Sequence, residues 1–187
     1  MATRDYTVDG AEITPRARTL GTKNNYLHAA LAAHVAAWDS YINKLVREFV
    51  QCTASPLNIE YSSIHSVYSD FTSRALEKFN TPNSNNTRVL LMQCSGYDPI
   101  NDWVWRKANM NGLQVRTFLD EILKVRHSFA HGLSIPSYAW TVTTSGRRQL
   151  NVGSVSKCRN FLSHLASVTD ESLSKFGKTH HPTKVFW

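Results

Sequence analysis

The chain has 187 residues, 42% hydrophobic and 11% aromatic, which is long enough to bury one core and too short for two full-sized domains. Only 19% of the residues are charged and there are just 8 glycines and 6 prolines, which excludes a disordered tail protein, a collagen-like repeat and a low-complexity linker. Lys and Arg outnumber Asp and Glu by 21 to 14, and the resulting +7 favours a polyanionic partner, nucleic acid first, although such a charge also serves solubility alone.

Residues 1–21 carry Arg4, Asp5, Asp9, Glu12, Arg16 and Arg18 around no apolar core, so they read as a flexible arm and not as a secretory signal. From Thr22 to Cys52, Leu27, Leu31, Val35, Trp38, Ile42, Leu45 and Phe49 recur in steps of three and four, which predicts one long amphipathic helix. Its alanines (Ala29, Ala30, Ala32, Ala33, Ala36 and Ala37) favour helix and permit close packing, as expected of the central stave of a bundle. Pro56 interrupts. Tyr61, Ile64, Tyr68, Phe71, Ala75 and Phe79 then predict a second helix that stops at the Asn80–Asn86 loop.

Thr87 to Cys94 fits two turns of helix ending near Gly96, and the aromatic stretch Tyr97–Trp105 reads as a packed connection. Helical period resumes after Asn111-Gly112 at Val115, Phe118, Ile122, Val125 and Phe129, and Gly132 followed by Pro136 marks its end. The β-leaning segments Tyr138–Thr143 and Gln149–Val152 flank Thr144-Ser145-Gly146-Arg147 and predict a short β-hairpin. Val155, Cys158, Leu162, Leu165 and Val168 mark the last helix, with residues 177–187 a tail. The sum is an all-α, up-and-down helical bundle occupying residues 22–176.

Cys52, Cys94 and Cys158 are odd in number and far apart, which suits reduced thiols. No stretch is apolar for long enough to cross a bilayer, so a soluble, cytoplasmic protein without membrane contact is expected.

No glycine-rich phosphate loop, paired metal-ligand cysteines or His-Glu-x-x-His helix occurs. What stands out is Val125-Arg126-His127-Ser128-Phe129-Ala130-His131-Gly132, where an arginine and two histidines crowd one helix end. Histidine exchanges protons near neutral pH and arginine presents a charged fork to phosphate oxygens, so the set suits attack of an RNA 2′-hydroxyl on its own phosphate. Two plainer explanations compete. Cations near a helix C-terminus are stabilised by the macrodipole by roughly 0.3–1 kcal/mol each. His127 and His131, one turn apart, also have metal-ligand spacing, with no carboxylate or third ligand beside them. Spacing alone does not decide, because Arg159 and His164 repeat it.

Arg126-x4-His131 with Ala130-His131-Gly132 closing the helix resembles the Arg-x(4-6)-His signature of the HEPN superfamily, an all-α group rich in RNA-cleaving toxins and defence proteins. The run Trp38-Asp39-Ser40-Tyr41-Ile42, Asn80-Thr81-Pro82-Asn83, the Trp103-x-Trp105 region and Phe161-Leu162-x-x-Leu165 resemble, in order, elements of its RiboL-PSP-HEPN branch, over roughly Lys23 to Phe176. The resemblance implies a metal-independent endoribonuclease without cofactor, acting as a toxin or antiviral effector. In it His131 handles protons, Arg126 binds the scissile phosphate, His127 takes the variable polar position beside Ser128, and the product is a 2′,3′-cyclic phosphate. The alternative is a catalytically silent module that binds RNA or a partner protein.

At about 100° per residue, Arg126 and His131 point roughly 140° apart while His127 and His131 nearly share a face. The family's solution, two protomers lining one cleft, implies a homodimer, with RNA and a cognate antitoxin or nucleotidyltransferase as further partners. Asp39 is expected to orient Arg126 by a charged hydrogen bond, against the commoner fate of a solvated helix-face acid. Arg147 and Arg148 at the hairpin tip suit contacts to RNA backbone, or plain exposure; Trp38, Tyr41, Trp103 and Trp105 read as core, and His28, His34, His65 and His164 as structural.

Overall fold

The computed structural model describes the backbone of residues 15–54 and 61–187, and side chains over residues 23–54 and 61–187. Residues 1–14 of the expected arm and the break at Pro56 lie outside the described residues. Five α-helices follow in order: α1 (Pro15–Thr53), α2 (Ser62–Lys78), α3 (Ser84–Ser95), α4 (Gly112–Ala130) and α5 (Val152–His180), with two 3₁₀ turns, Pro99–Asn101 and Arg106–Ala108, between α3 and α4.

α1 touches α3, α4 and α5, as its small, alanine-rich surface allows, and Leu31, Val35, Trp38, Ile42, Leu45 and Phe49 are its buried stripe. The order of contacts gives the directions. His34 feels the charge of Arg159, Tyr41 Oη donates to the Ala166 carbonyl at 2.9 Å and Phe49 meets His181, so α5 runs parallel to α1. Phe118 near the start of α4 meets Phe161, and Phe129 near its end stacks on His28, so α4 runs against both.

The aromatic connection is packed as expected. Trp103 is fully buried and its indole N–H donates to Thr169 Oγ1 at 2.9 Å; Trp38 donates to the Pro82 carbonyl at 3.0 Å and meets Trp103 edge-on. Both indoles bury a large apolar surface without leaving an orphan donor.

Several boundaries differ from expectation. α1 already begins at Pro15, so residues 15–21 are helical and not part of an arm, a proline being well suited to a first turn. α3 starts at Ser84, because the Asn83 side chain caps the Asn86 N–H and the loop ends earlier than its asparagines suggest. On α2 only Thr72 and Leu76 are buried, while Ile64 and Phe71 of its apolar repeat are exposed. The hairpin reduces to a single bridge, Val142 to Arg148, closed by a turn with Gly146 at φ +76°; no strand forms among the described residues.

Residues 177–187 are no loose tail. The helix continues to His180, and the chain then turns back so that Phe186 is buried against Phe49 and His181. Gly177 makes this contact feasible, since a Cβ there would lie 2.5 Å from the Phe186 ring. Ser174 Oγ at 2.6 Å and Lys178 Nζ at 3.0 Å both donate to the Trp187 carbonyl. Phe186→Ala is expected to cost about 3 kcal/mol in urea unfolding. Gly177→Ala should destabilise the native chain yet become neutral or favourable in the Phe186→Ala background, where its added methyl meets no ring and helix propensity gains roughly 1 kcal/mol.

Candidate functional site

α4 is tightly bounded at both ends. Asn111 and Gln114 form a reciprocal capping box at its start. At its end Gly132 adopts φ +63°, the Gly132 N–H donates to the Phe129 carbonyl at 3.1 Å and the Leu133 N–H to the Ser128 carbonyl at 2.7 Å. This Schellman pairing satisfies the last carbonyls from the backbone and needs no side chain. His131 is the C-cap residue, just past the last helical turn.

Three of the predicted side chains gather on this end. Arg126, His127 and His131 are all exposed, and the two imidazole rings lie with centroids 4.2 Å apart and planes inclined at 45°. No hydrogen bond or ion pair to a described residue engages any of the three side chains. Val115, Leu119, Ile122 and Val125 are buried on the side of α4 away from the two histidines and fix the rotation that presents the imidazoles.

Ser128 does not join them. It is buried and its hydroxyl donates to the Val125 carbonyl at 2.8 Å, so it is not presented with the exposed cluster. Asp39 is also placed differently from expectation. It forms no ion pair with Arg126; its Oδ1 accepts from Asn43 Nδ2 at 3.1 Å, and the same amide donates to the Asp39 carbonyl at 2.9 Å. Partial burial holds the Asp39 carboxyl above the usual carboxylate range, opposed by the nearby Arg126 charge and the Asn43 hydrogen bond. Asp39 therefore acts on Arg126 through space, not as its hydrogen-bonded anchor.

Arg147 and Arg148 are exposed beside the Gly146 turn; the Arg147 N–H donates to Thr143 Oγ1 at 3.1 Å, and no contact joins either arginine to the α4 cluster among the described residues. His28, read from the sequence as structural, is buried. Its ring stacks on Phe129 with centroids 4.3 Å apart and an interplanar angle of 12°, and burial lowers its pKa. It braces the residue between the two site histidines, and only the tertiary fold brings it there. The decoy pair behaves as a structural one: His164 Nε2 lies 2.9 Å from the Val104 carbonyl and its ring stacks on Trp105. Among the described residues no group of three or more His, Cys, Asp or Glu side chains is gathered that could hold a metal ion, and no helix is long and apolar enough to cross a membrane.

The RiboL-PSP-HEPN family model matches residues 12–175, a span that includes α1 to α4, α5 as far as Lys175 and the whole Arg126–His131 cluster. The chain belongs to the RiboL-PSP-HEPN family. No curated protein matches it. No solved structure matches it either. This HEPN-type domain is all-α, as the element order and composition anticipate.

The raised pKa of Asp39 has a consequence for stability. A folded-state carboxyl pKa above its unfolded value means that the native state holds the proton longer, so stability falls as pH rises through that window. Asp39→Asn is accordingly expected to raise the thermal midpoint at pH 7 and to lose that gain below the carboxylate range. A thermal-melt series across pH checks it, and an equal shift at every pH would point to packing instead.

Proposed function

We propose that this HEPN domain is a metal-independent endoribonuclease, acting in the cytoplasm as a toxin or antiviral effector. The observation that carries the reading is the exposed pair of imidazoles, 4.2 Å between centroids, on a helix end that also exposes Arg126, whose guanidinium contacts no carboxylate among the described residues. Helix capping does not require these side chains, because backbone N–H groups already cap α4. That observation favours the enzyme over the silent binding module.

In the proposed reaction His131 removes the proton of the 2′-hydroxyl, O2′ attacks phosphorus, and the bond to the 5′-oxygen breaks as that oxygen takes a proton from a protonated histidine across the cleft. The products are a 2′,3′-cyclic phosphate and a 5′-hydroxyl. Arg126 offsets the charge that grows on the non-bridging oxygens, and His127 supports proton transfer. Proton transfer and charge stabilisation each contribute factors of about 10²–10⁴ in such chemistry.

Geometry argues for a second copy. Attacking and leaving oxygens lie nearly in line, whereas His127 and His131 stand side by side and Arg126 points away from His131. Two protomers facing each other across one cleft would set a histidine on each side of the phosphate and an arginine within reach of it. A mass near twice 21.2 kDa by light scattering is the expected result. A fully active monomer would overturn the shared cleft.

Purified protein incubated with RNA in EDTA is expected to leave cyclic phosphate ends. His131→Ala and Arg126→Ala should each lower cleavage by at least ~100-fold, roughly 2.7 kcal/mol of transition-state stabilisation, with folding intact and His127→Ala in between. Wild-type cleavage by folded His131→Ala protein, or activity that needs a divalent ion, would refute the reading.

A further inference from the structure

Thr117, Glu121, Lys124, His127 and His131 follow each other along α4 in steps of four, three, three and four. Those steps keep one side of a helix, and all but the half-buried Glu121 are exposed. The stripe thus connects the histidine pair to the other end of α4, over a rise of about 15 Å from Glu121 to His131.

At that far end lies a cleft of about 520 Å³ between α4, the first turns of α5 and the segment after Pro136. Phe118, Trp140 and the exposed Leu113 give it apolar walls, and Glu121 and Lys157 supply opposite charges. Trp140 is rigidly placed: its Nε1 donates to Glu121 Oε2 at 2.8 Å, it meets Phe118 edge-on at 83°, and Tyr138 stacks behind it at an interplanar angle of 13°. Lys157 Nζ stands 5.1 Å from the Phe118 ring centroid and forms no ion pair with a described residue.

An oriented indole, a fixed carboxylate and an ammonium with no carboxylate partner among the described residues are the parts needed to hold a nucleotide with its base unstacked from the strand. We propose that this cleft is a guanine-binding subsite for single-stranded RNA, a proposal that rests on the ribonuclease reading for the identity of the polymer. Guanine presents an imino and an amino donor side by side, which one carboxylate accepts in parallel; Glu121 keeps lone pairs for this beyond the one that Trp140 occupies. Adenine, cytosine and uracil offer a single donor beside an acceptor, and that acceptor would face a carboxylate oxygen. Lys157 takes a phosphate, Lys124 bridges the stretch between, and the strand reaches the histidines a few nucleotides away. The subsite would therefore select the cleavage position at a distance from the scissile bond.

The test uses short oligouridine strands with one central nucleotide varied, methylated at every ribose 2′-oxygen so that none can be cleaved, and reads binding to the full chain by fluorescence anisotropy. The guanine strand is expected to bind about tenfold tighter than the all-uridine strand. Glu121→Gln retains an acceptor for Trp140, and should erase that preference by weakening the guanine strand and easing the all-uridine strand, whose acceptor no longer faces a carboxylate. Trp140→Ala should weaken binding of every strand. Equal affinity for the four strands, or a guanine preference that survives Glu121→Gln, overturns the proposal. Guanine selectivity without cleavage of unmodified RNA removes only the ribonuclease reading, and cleavage without guanine selectivity removes only the subsite.

Discussion

The inner face of α4, made by Val115, Leu119, Ile122 and Val125, is buried to the last few per cent, and the rotation of the helix is fixed by it. In a close-packed interior a helix cannot turn by even one residue without driving side chains into neighbours or opening cavities. Each exposed side chain of α4 therefore has an assigned direction. Glu121, Lys124, His127 and His131 share a side because the buried residues occupy the other. The same constraint keeps Arg126 and His131 apart on one helix, which is why the proposed chemistry calls on a second protomer.

How strongly α4 is held depends on what surrounds it. α1 and α5 run parallel and α4 lies against them in the opposite sense, with the two buried indoles of Trp38 and Trp103 meeting edge-on in the core. Both indole N–H groups reach oxygen acceptors from other elements, Pro82 and Thr169, so the bulkiest residues of the core are also its most directional. Buried polar groups of this kind reject alternative packings, since any shift leaves an unpaired donor in an apolar interior. At the other end of the bundle Phe186 lies on Gly177, closing the core where α1 and α5 would otherwise expose Phe49.

The sequence made the helices legible wherever period and punctuation agreed. For α4 the apolar steps, Asn111 before the first turn and Gly132 after the last all point to the same segment, and the bounds Gly112–Ala130 follow. For α2 the period is equally regular, yet Ile64 and Phe71 are exposed. Periodicity states that residues share a face; it carries no information about whether another element covers that face. Phe186 fails to register for the opposite reason, being a lone aromatic in an aperiodic segment whose burial depends on a glycine nine positions earlier in the chain. Ser128 sits inside the motif by sequence but is buried in the fold with its hydroxyl on the Val125 carbonyl, which step counting along α4 does not disclose. Asp39 feels the Arg126 charge, but its hydrogen-bond partner is Asn43, one turn along its own helix, and not the expected guanidinium.

The two Arg-x4-His pairs make the decisive comparison. Arg126 with His131 and Arg159 with His164 have the same spacing, and no count along the chain separates them. His164 lies within α5, where the Val104 carbonyl and the Trp105 ring occupy its polar and apolar surfaces. An imidazole so engaged has neither a free nitrogen on that side nor room for a phosphate. His131 stands past the end of α4, where Gly132 reverses the chain and the backbone has satisfied its own carbonyls. Termination by glycine is thus what separates the two: it releases the last histidine from the capping role that its position would otherwise invite, and leaves it next to His127 with solvent, or a substrate, as its partner. A histidine free of structural duty at a helix end, with a second one turn before it, is the feature that a spacing rule cannot encode and a backbone can.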